Sequence, residues 1–260
     1  MIKADLHNHL GKKGTNPGFD KTLDLVYKRL GPNSIFGIAN FDDFRYEEFI
    51  DQKGGKYERV PVSDKRAIYV PEKNMLVVKC QEMLTKEGDV LAIAMPYRKN
   101  IKTKNTKDAI IAANDLEAIL DAVHPFYLDG VGNFMKKNFE LFSFFSTFEV
   151  YNGSLIFVPG VTPMYANKKA LDFYISHDLE KQFGIGMSSS TDGHSVKSIG
   201  KCFTLLDDFS LTSKNLPLEI RNALKNVKSL YRLHMEPNYF DAFKHAVHIG
   251  FNCFLSLMKK

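Results

Sequence analysis

The sequence predicts an α/β protein whose strands lie side by side in a parallel barrel or sheet. Short runs rich in β-branched and apolar residues alternate along the chain with segments of helical period. A length of 260 residues with 44% hydrophobic content is enough to bury one sizeable core. No Ser/Gly/Pro-rich linker and no internal repeat divides the chain, which favours one domain over two smaller ones. Strand–helix alternation of this kind is the pattern of parallel sheets.

"MIKADL" (1–6) reads as the first strand. In an extended chain residues i and i+2 point to one face, so Asp5, His7 and His9 project together and could hold a metal. A His-x-His pair alone is weak, and its meaning depends on ligands at the ends of other strands. "KTLDLVYKRLG" (21–31) has helical period and ends at Gly31. "IFGIAN" (35–40) is followed by Asp42 and Asp43, "MLVVKC" (75–80) by Glu82, and "DVLAIAM" (89–95) opens on Asp89. "YRKNIKTKNTK" (97–107), with five basic residues and no acid, reads as a solvated loop into a helix near Asp108. "ILDAVH" (119–124) ends on His124, and "TFEVYN" (147–152) contains Glu149. "NKKALDFYISHDLEKQFG" (167–184) reads as helical to Gly184, "GIGMSSS" (184–190) precedes Asp192 and His194, and "KCFTLL" (201–206) is a further strand. The C-terminal "FDAFKHAVHIGFNCFLSLMKK" is interrupted by Asp241, Lys244, His245, His248 and Asn252, so it predicts an amphipathic helix on the body rather than a membrane span.

Composition narrows the function classes. A net charge of +5, with 25% charged residues of both signs interspersed, suits a soluble protein and falls short of a duplex-DNA binder, so nucleic acid is not indicated as a partner. Three distant cysteines and a start that leaves no room for a signal peptide point to the reducing cytoplasm. Ser188, Ser189 and Ser190 lack a G-x-S-x-G setting and read as strand and turn packing, while His177, His234, His245 and His248 lack strand-end context.

Most of the candidate ligands therefore fall at the C-terminal ends of strands, which in a β/α barrel is the active-site face. In that order the motifs "ADLHNHL", "VVKCQEM", "AVHPF" and "MSSSTDGHSVKSIGKCFT", with the helix-like "LPLEIRNALKNVKSLYR", resemble the polymerase-and-histidinol-phosphatase (PHP) family from Ala4 to about Tyr231. The resemblance implies a distorted (β/α)7 TIM-like barrel over residues 1–232, with residues 233–260 as the amphipathic segment packed on it. It implies a first metal held by His7, His9, Glu82 and Asp192, and a second sharing Glu82 and held by His124, with His194 at a third position. Glu82, Asp192 and His194 would be the catalytic groups. Asp5 would orient a ligand histidine from behind, and Glu149 would lie beside the site. Imidazole with carboxylate suits zinc, manganese or iron.

The chain also departs from the family pattern. Phe41 stands where the second motif carries a histidine, with Asp42 available by a one-residue shift and Asp43 beside it. Asp89 follows Gly88 where members carry Gly-His, so a carboxylate replaces an imidazole. "GKKGTNPGF" after His9 has no histidine, and two divalent ions are expected, with the third site in doubt. A water bridging two such ions becomes a nucleophile near neutral pH. The reading is a metal-dependent phosphoesterase for a small phosphorylated metabolite or nucleotide, with Lys12, Lys13 and Arg98 as candidate phosphate contacts. Hydrolysis of a C–N bond on the same metals and a degenerate, binding-only barrel are the alternatives.

Overall fold

The computed structural model describes residues 1–10, 18–155 and 165–237. Strand β1 (Ile2–Asp5) leads to helix α1 (Phe19–Leu30), which buries Phe19, Leu23, Val26 and Leu30 at helical spacing and stops at Gly31, where φ is +73°. Then come β2 (Ser34–Asn40), α2 (Arg45–Ile50), a hairpin of β3 (Val60–Val62) and β4 (Ala67–Val70), and the long β5 (Met75–Thr85). β6 (Gly88–Ile93) follows directly, then α3 (Thr106–Asp115), β7 (Ile119–Ala122), α4 (Gly132–Met135) and β8 (Phe145–Asn152). The chain continues through α5 (Ala166–Ser176), α6 (Leu179–Phe183), β9 (Gly186–Ser190), β10 (Cys202–Leu206), α7 (Leu216–Lys225) and β11 (Leu233–Met235).

The sheet runs β11-β10-β1-β2-β5-β6-β7-β8-β9 and curls into a nearly closed barrel. The seam between β9 and β10 is held by side chains: the Ser189 amide donates to Thr204 Oγ1 at 3.0 Å, and Thr204 Oγ1 donates to the Ser189 carbonyl at 3.2 Å. Two parallel units, β1-β2-β5 and β7-β8-β9, carry the helical crossovers. Between them β6 runs antiparallel to both neighbours, because the two residues linking Thr85 to Gly88 leave room for a hairpin only. β10 is likewise antiparallel to β1. The barrel is TIM-like and distorted, as the sequence predicts, and these reversals are the distortion.

Two elements differ from the sequence reading. The β3–β4 hairpin is unforeseen, since its strands are short and Pro61 falls inside one of them; β3 is an edge strand, where a missing N–H is tolerated. The helical stretch 167–184 is two helices, broken where Asp178 takes a left-handed φ of +46°. Residues 233–235 pair with β10 as β11, and the amphipathic segment expected beyond lies outside the described residues from 238 on. Among the described residues no helix is long and apolar enough to cross a membrane.

One hydrophobic core lies inside the barrel and under α3, α5 and α7, and a second lies between α1, α2 and the outer face of β2 and β5. Phe142, Phe148 and Phe173 stack with centroids near 6 Å and fix α5 against β8.

Candidate metal centre

Beyond β1 the chain is strapped to the loop that follows β9. The His9 amide donates to the Gly193 carbonyl at 2.8 Å, and Asn8 forms an isolated bridge with Gly193. Asp5 closes the same joint: its carboxylate accepts from Thr191 N at 3.0 Å, Thr191 Oγ1 at 2.7 Å and Gly200 N at 2.7 Å. First and last motifs, nearly two hundred residues apart, thus share one edge of the barrel.

Glu82 sits inside β5 at the centre of the cluster. Its Oε1 lies 3.4 Å from His7 Nε2 and 3.0 Å from His124 Nε2, and its Oε2 lies 3.1 Å from His9 Nε2. Asp192 Oδ1 is 3.7 Å from His7 Nε2 and 3.6 Å from His9 Nε2. His194 stands at the exposed rim, its Nδ1 3.8 Å from Asp192 Oδ1. Asp89 joins Glu82 and His124 in a further group with metal-ligating spacing, and His9, Asp192 and His194 form another. Asp89 reaches this edge at the N-terminal end of its strand because β6 runs backwards. His124 and Asp192 both adopt left-handed φ, +30° and +49°, a strained conformation of the kind that clusters at functional sites.

The donor set fits divalent ions. Ligand bonds of about 2.0–2.1 Å in a tetrahedron set ligand atoms about 3.3 Å apart, and His7, His9, Glu82 and Asp192 present atoms 3.1–3.7 Å apart. His7 Nε2 faces His9 Nε2 at 3.1 Å, a contact of two ring nitrogens that needs a proton or a cation between them. The electrostatics agree. Burial works against the ionised Glu82 and Asp192, yet the surrounding imidazoles hold both carboxyls well below the usual range. Burial pulls His7 and His124 down, but Asp192 and Glu82 outweigh it, leaving His7 well above its ordinary value and His124 at about 10. Burial lowers His9 and, with Glu82 nearby, raises Asp89 to about 8.

Glu149 lies behind the cluster, accepting from the His124 amide, Asn152 Nδ2 and Ser190 Oγ, with Oε1 3.9 Å from His7 Nδ1. The aspartates after β2 are not brought in. Asp42 is exposed and faces Lys104, and Asp43 pairs with Arg45 at 2.7 Å. Phe41 instead stacks on His9, with centroids 4.4 Å apart and planes 6° apart, while the Arg45 guanidinium lies 4.6 Å from the Phe41 ring centroid. Arg98 faces Asp51, the residue that caps the end of α2, and does not line the cleft over the cluster. Lys12 and Lys13 lie outside the described residues, as do His245 and His248. His177 packs on Phe173 and His234 on Phe203.

Sequence reasoning missed three residues here. Asp121 on β7 is buried beneath the cluster, accepts from Ser188 Oγ at 2.9 Å, and is raised to about 8 by burial and by Glu149. Asp129 brings Oδ1 to 3.5 Å from His124 Nδ1, and Tyr127 lines the cleft. Both follow "AVHPF" so closely that the motif itself was the available signal.

No family model and no curated protein matches the chain. Solved structures do. A two-domain protein from Bacteroides vulgatus ATCC 8482, described as containing a predicted PHP-like metal-dependent phosphoesterase, shares 15% identity at a TM-score of 0.51, covering 95% of this chain and 69% of that one. PsfC from Pseudomonas syringae PB-5123 shares 11% identity at a TM-score of 0.50, covering 97% of this chain and 98% of that one. The fold is PHP-like.

Proposed function

We propose that this PHP-like barrel is a metal-dependent phosphoesterase acting on a small phosphorylated metabolite or a nucleotide. The observation that carries the reading is Glu82, whose closest contacts are His124 at Oε1 and His9 at Oε2, 3.0 and 3.1 Å away, so that its carboxylate belongs to both the His7–His9 group and the His124–Asp89 group. A carboxylate shared in this way suits a bridge between two neighbouring cations. His7, His9, Glu82 and Asp192 would hold one divalent ion, and Glu82, His124 and Asp89 the other. Such ions, when bound, supply a water deprotonated near neutral pH and positive charge against phosphate oxygens.

The remaining work falls to the chain. Glu149 and Asp129 lie 3.9 and 3.5 Å from the Nδ1 atoms of His7 and His124, positions from which a small approach would let each carboxylate fix the tautomer of a ligand imidazole. His194 Nδ1 donates to the Asp192 carbonyl at 3.1 Å, since a carbonyl only accepts. In the imidazolium form Nε2 also carries a proton, and it is the atom through which His194 would pass that proton to the leaving alcohol, returning to the neutral Nδ1–H tautomer.

The test is metal loading followed by parallel panels of phosphate esters and amides. Ester turnover that depends on zinc, manganese or iron supports the reading. Amide turnover without ester turnover would move the reaction to C–N bonds, and a protein that takes up no metal would leave the barrel a binding role only.

A further inference from the structure

Tyr127 is only 8% exposed, and its hydroxyl oxygen is buried with no hydrogen-bond partner among the described residues. A hydroxyl taken out of water and left unpaired is costly, and native structures rarely keep one without a reason. Tyr127 lines the cleft of about 170 Å³ that opens over Glu82, His124, Asp192 and His194.

The loop that carries the ring is pinned through its backbone. The Tyr127 amide donates to the His124 carbonyl at 2.9 Å, the Gly130 amide to the Tyr127 carbonyl at 3.2 Å, and the Asp89 amide to the Asp129 carbonyl at 2.7 Å. At Gly130 a Cβ would run into the His124 carbonyl oxygen, so the loop closes this tightly only with glycine there. The ring itself packs with Leu155 and Ala166.

The cleft's chemistry says what the hydroxyl is for. Glu82, Asp89, Asp129 and Asp192 all line it, and carboxylates repel an anion. An anionic oxygen entering there needs neutral or positive donors. A tyrosine hydroxyl is neutral at pH 7 and can donate its proton to such an oxygen. We propose that Tyr127 is a substrate-binding residue whose hydroxyl donates a hydrogen bond to a non-bridging oxygen of the phosphoryl group held over the histidine–carboxylate cluster. This rests on the phosphoesterase reading and adds to it the donor that recognises the phosphoryl oxygen.

Tyr127→Phe removes only the hydroxyl and tests the inference in three measurements on the metal-loaded full chain: metal content, affinity for inorganic phosphate by calorimetry, and Tm without phosphate. The expected result is unchanged metal content, phosphate binding weakened about tenfold by loss of one hydrogen bond to a charged group, and a Tm about 2–4 °C higher because an unpaired buried hydroxyl is gone. A residue with a merely structural role would lower Tm instead. Wild-type phosphate binding that Tyr127→Phe leaves unchanged would overturn the inference while the phosphoesterase reading stands, as would a variant that loses metal or stability. A wild-type protein that neither binds phosphate nor turns over any ester would overturn both.

Discussion

At the scale of single residues, Glu82 and Asp5 are both buried carboxylates near the cluster, yet they have different partners. Glu82 faces three imidazoles, whereas Asp5 accepts from Thr191 and Gly200 on the loop that carries Asp192. Glu82→Gln should abolish metal retention and turnover with little change in the fold. Asp5→Asn removes one acceptor oxygen from a joint with three donors, so it should cost about 1–3 kcal/mol of stability and reduce metal affinity by about 10–100-fold. Elemental analysis and denaturant unfolding of both variants check this; equal, mild effects would refute the bridging role. The raised His7 and His124 imply a second outcome. In the metal-free protein the Glu82 and Asp192 carboxylates favour both imidazoles in their protonated form, pushing His124 up to about 10 and His7 well above its ordinary value. A metal binds neutral imidazole, so loading at pH 7 should release about two protons, and affinity should fall as pH falls. Calorimetry in buffers of different ionisation enthalpy counts the protons, and a count of zero would contradict the electrostatics.

Among the elements, β5 is the organiser. Its first half pairs with β4 and its second with β6, while its other edge follows β2 in register from Ser34↔Met75 to Asn40↔Gln81. Lys79, buried on this strand, ties it to α2: Nζ donates to Glu47 Oε1 at 2.5 Å and to the Pro96 and Lys99 carbonyls at 2.9 and 2.7 Å. Burial lowers the Lys79 pKa, and Glu47 opposes that shift. Lys79→Met should destabilise by about 3–5 kcal/mol, since it strands the Glu47 carboxylate in the interior. Adding Glu47→Gln should recover part of the loss in denaturant unfolding, and a double variant as unstable as the sum of the two singles would show that the pair is not coupled.

For the whole molecule the prediction concerns stoichiometry and stability. The inner groups around Glu82 offer two sets of ligands, whereas the outer group of His9, Asp192 and His194 ends on an exposed imidazole. Carefully dialysed protein should retain about two equivalents of metal, consistent with two sets of ligands, and Phe41→His should raise occupancy of the outer position. Chelation should lower Tm, because an ion that binds only the folded chain stabilises it by mass action. Three tightly held ions in the wild type, or a Tm indifferent to chelator, would overturn this.

Much of the molecule is written locally. The apolar periods of α1 and β2, the glycine stop at Gly31 and the motifs around His7, Glu82, His124 and Asp192 depend on neighbours a few residues away, so the sequence by itself determined the α/β class, most strands and which histidines and carboxylates are candidates for one cluster. Other features are long-range. Asp42, Asp43 and Asp89 are all acids near strand ends. Only the reversed β6 brings Asp89 to the cluster, while Lys104 and Arg45 draw the other two away. Nothing near Phe41 announces that its ring stacks on His9, and nothing near Asp5 announces Thr191. Strand direction and barrel closure decide which side chains share an edge, and both are set by packing between residues far apart in the chain. Local propensity reports the pieces, and tertiary structure alone reports which of them meet.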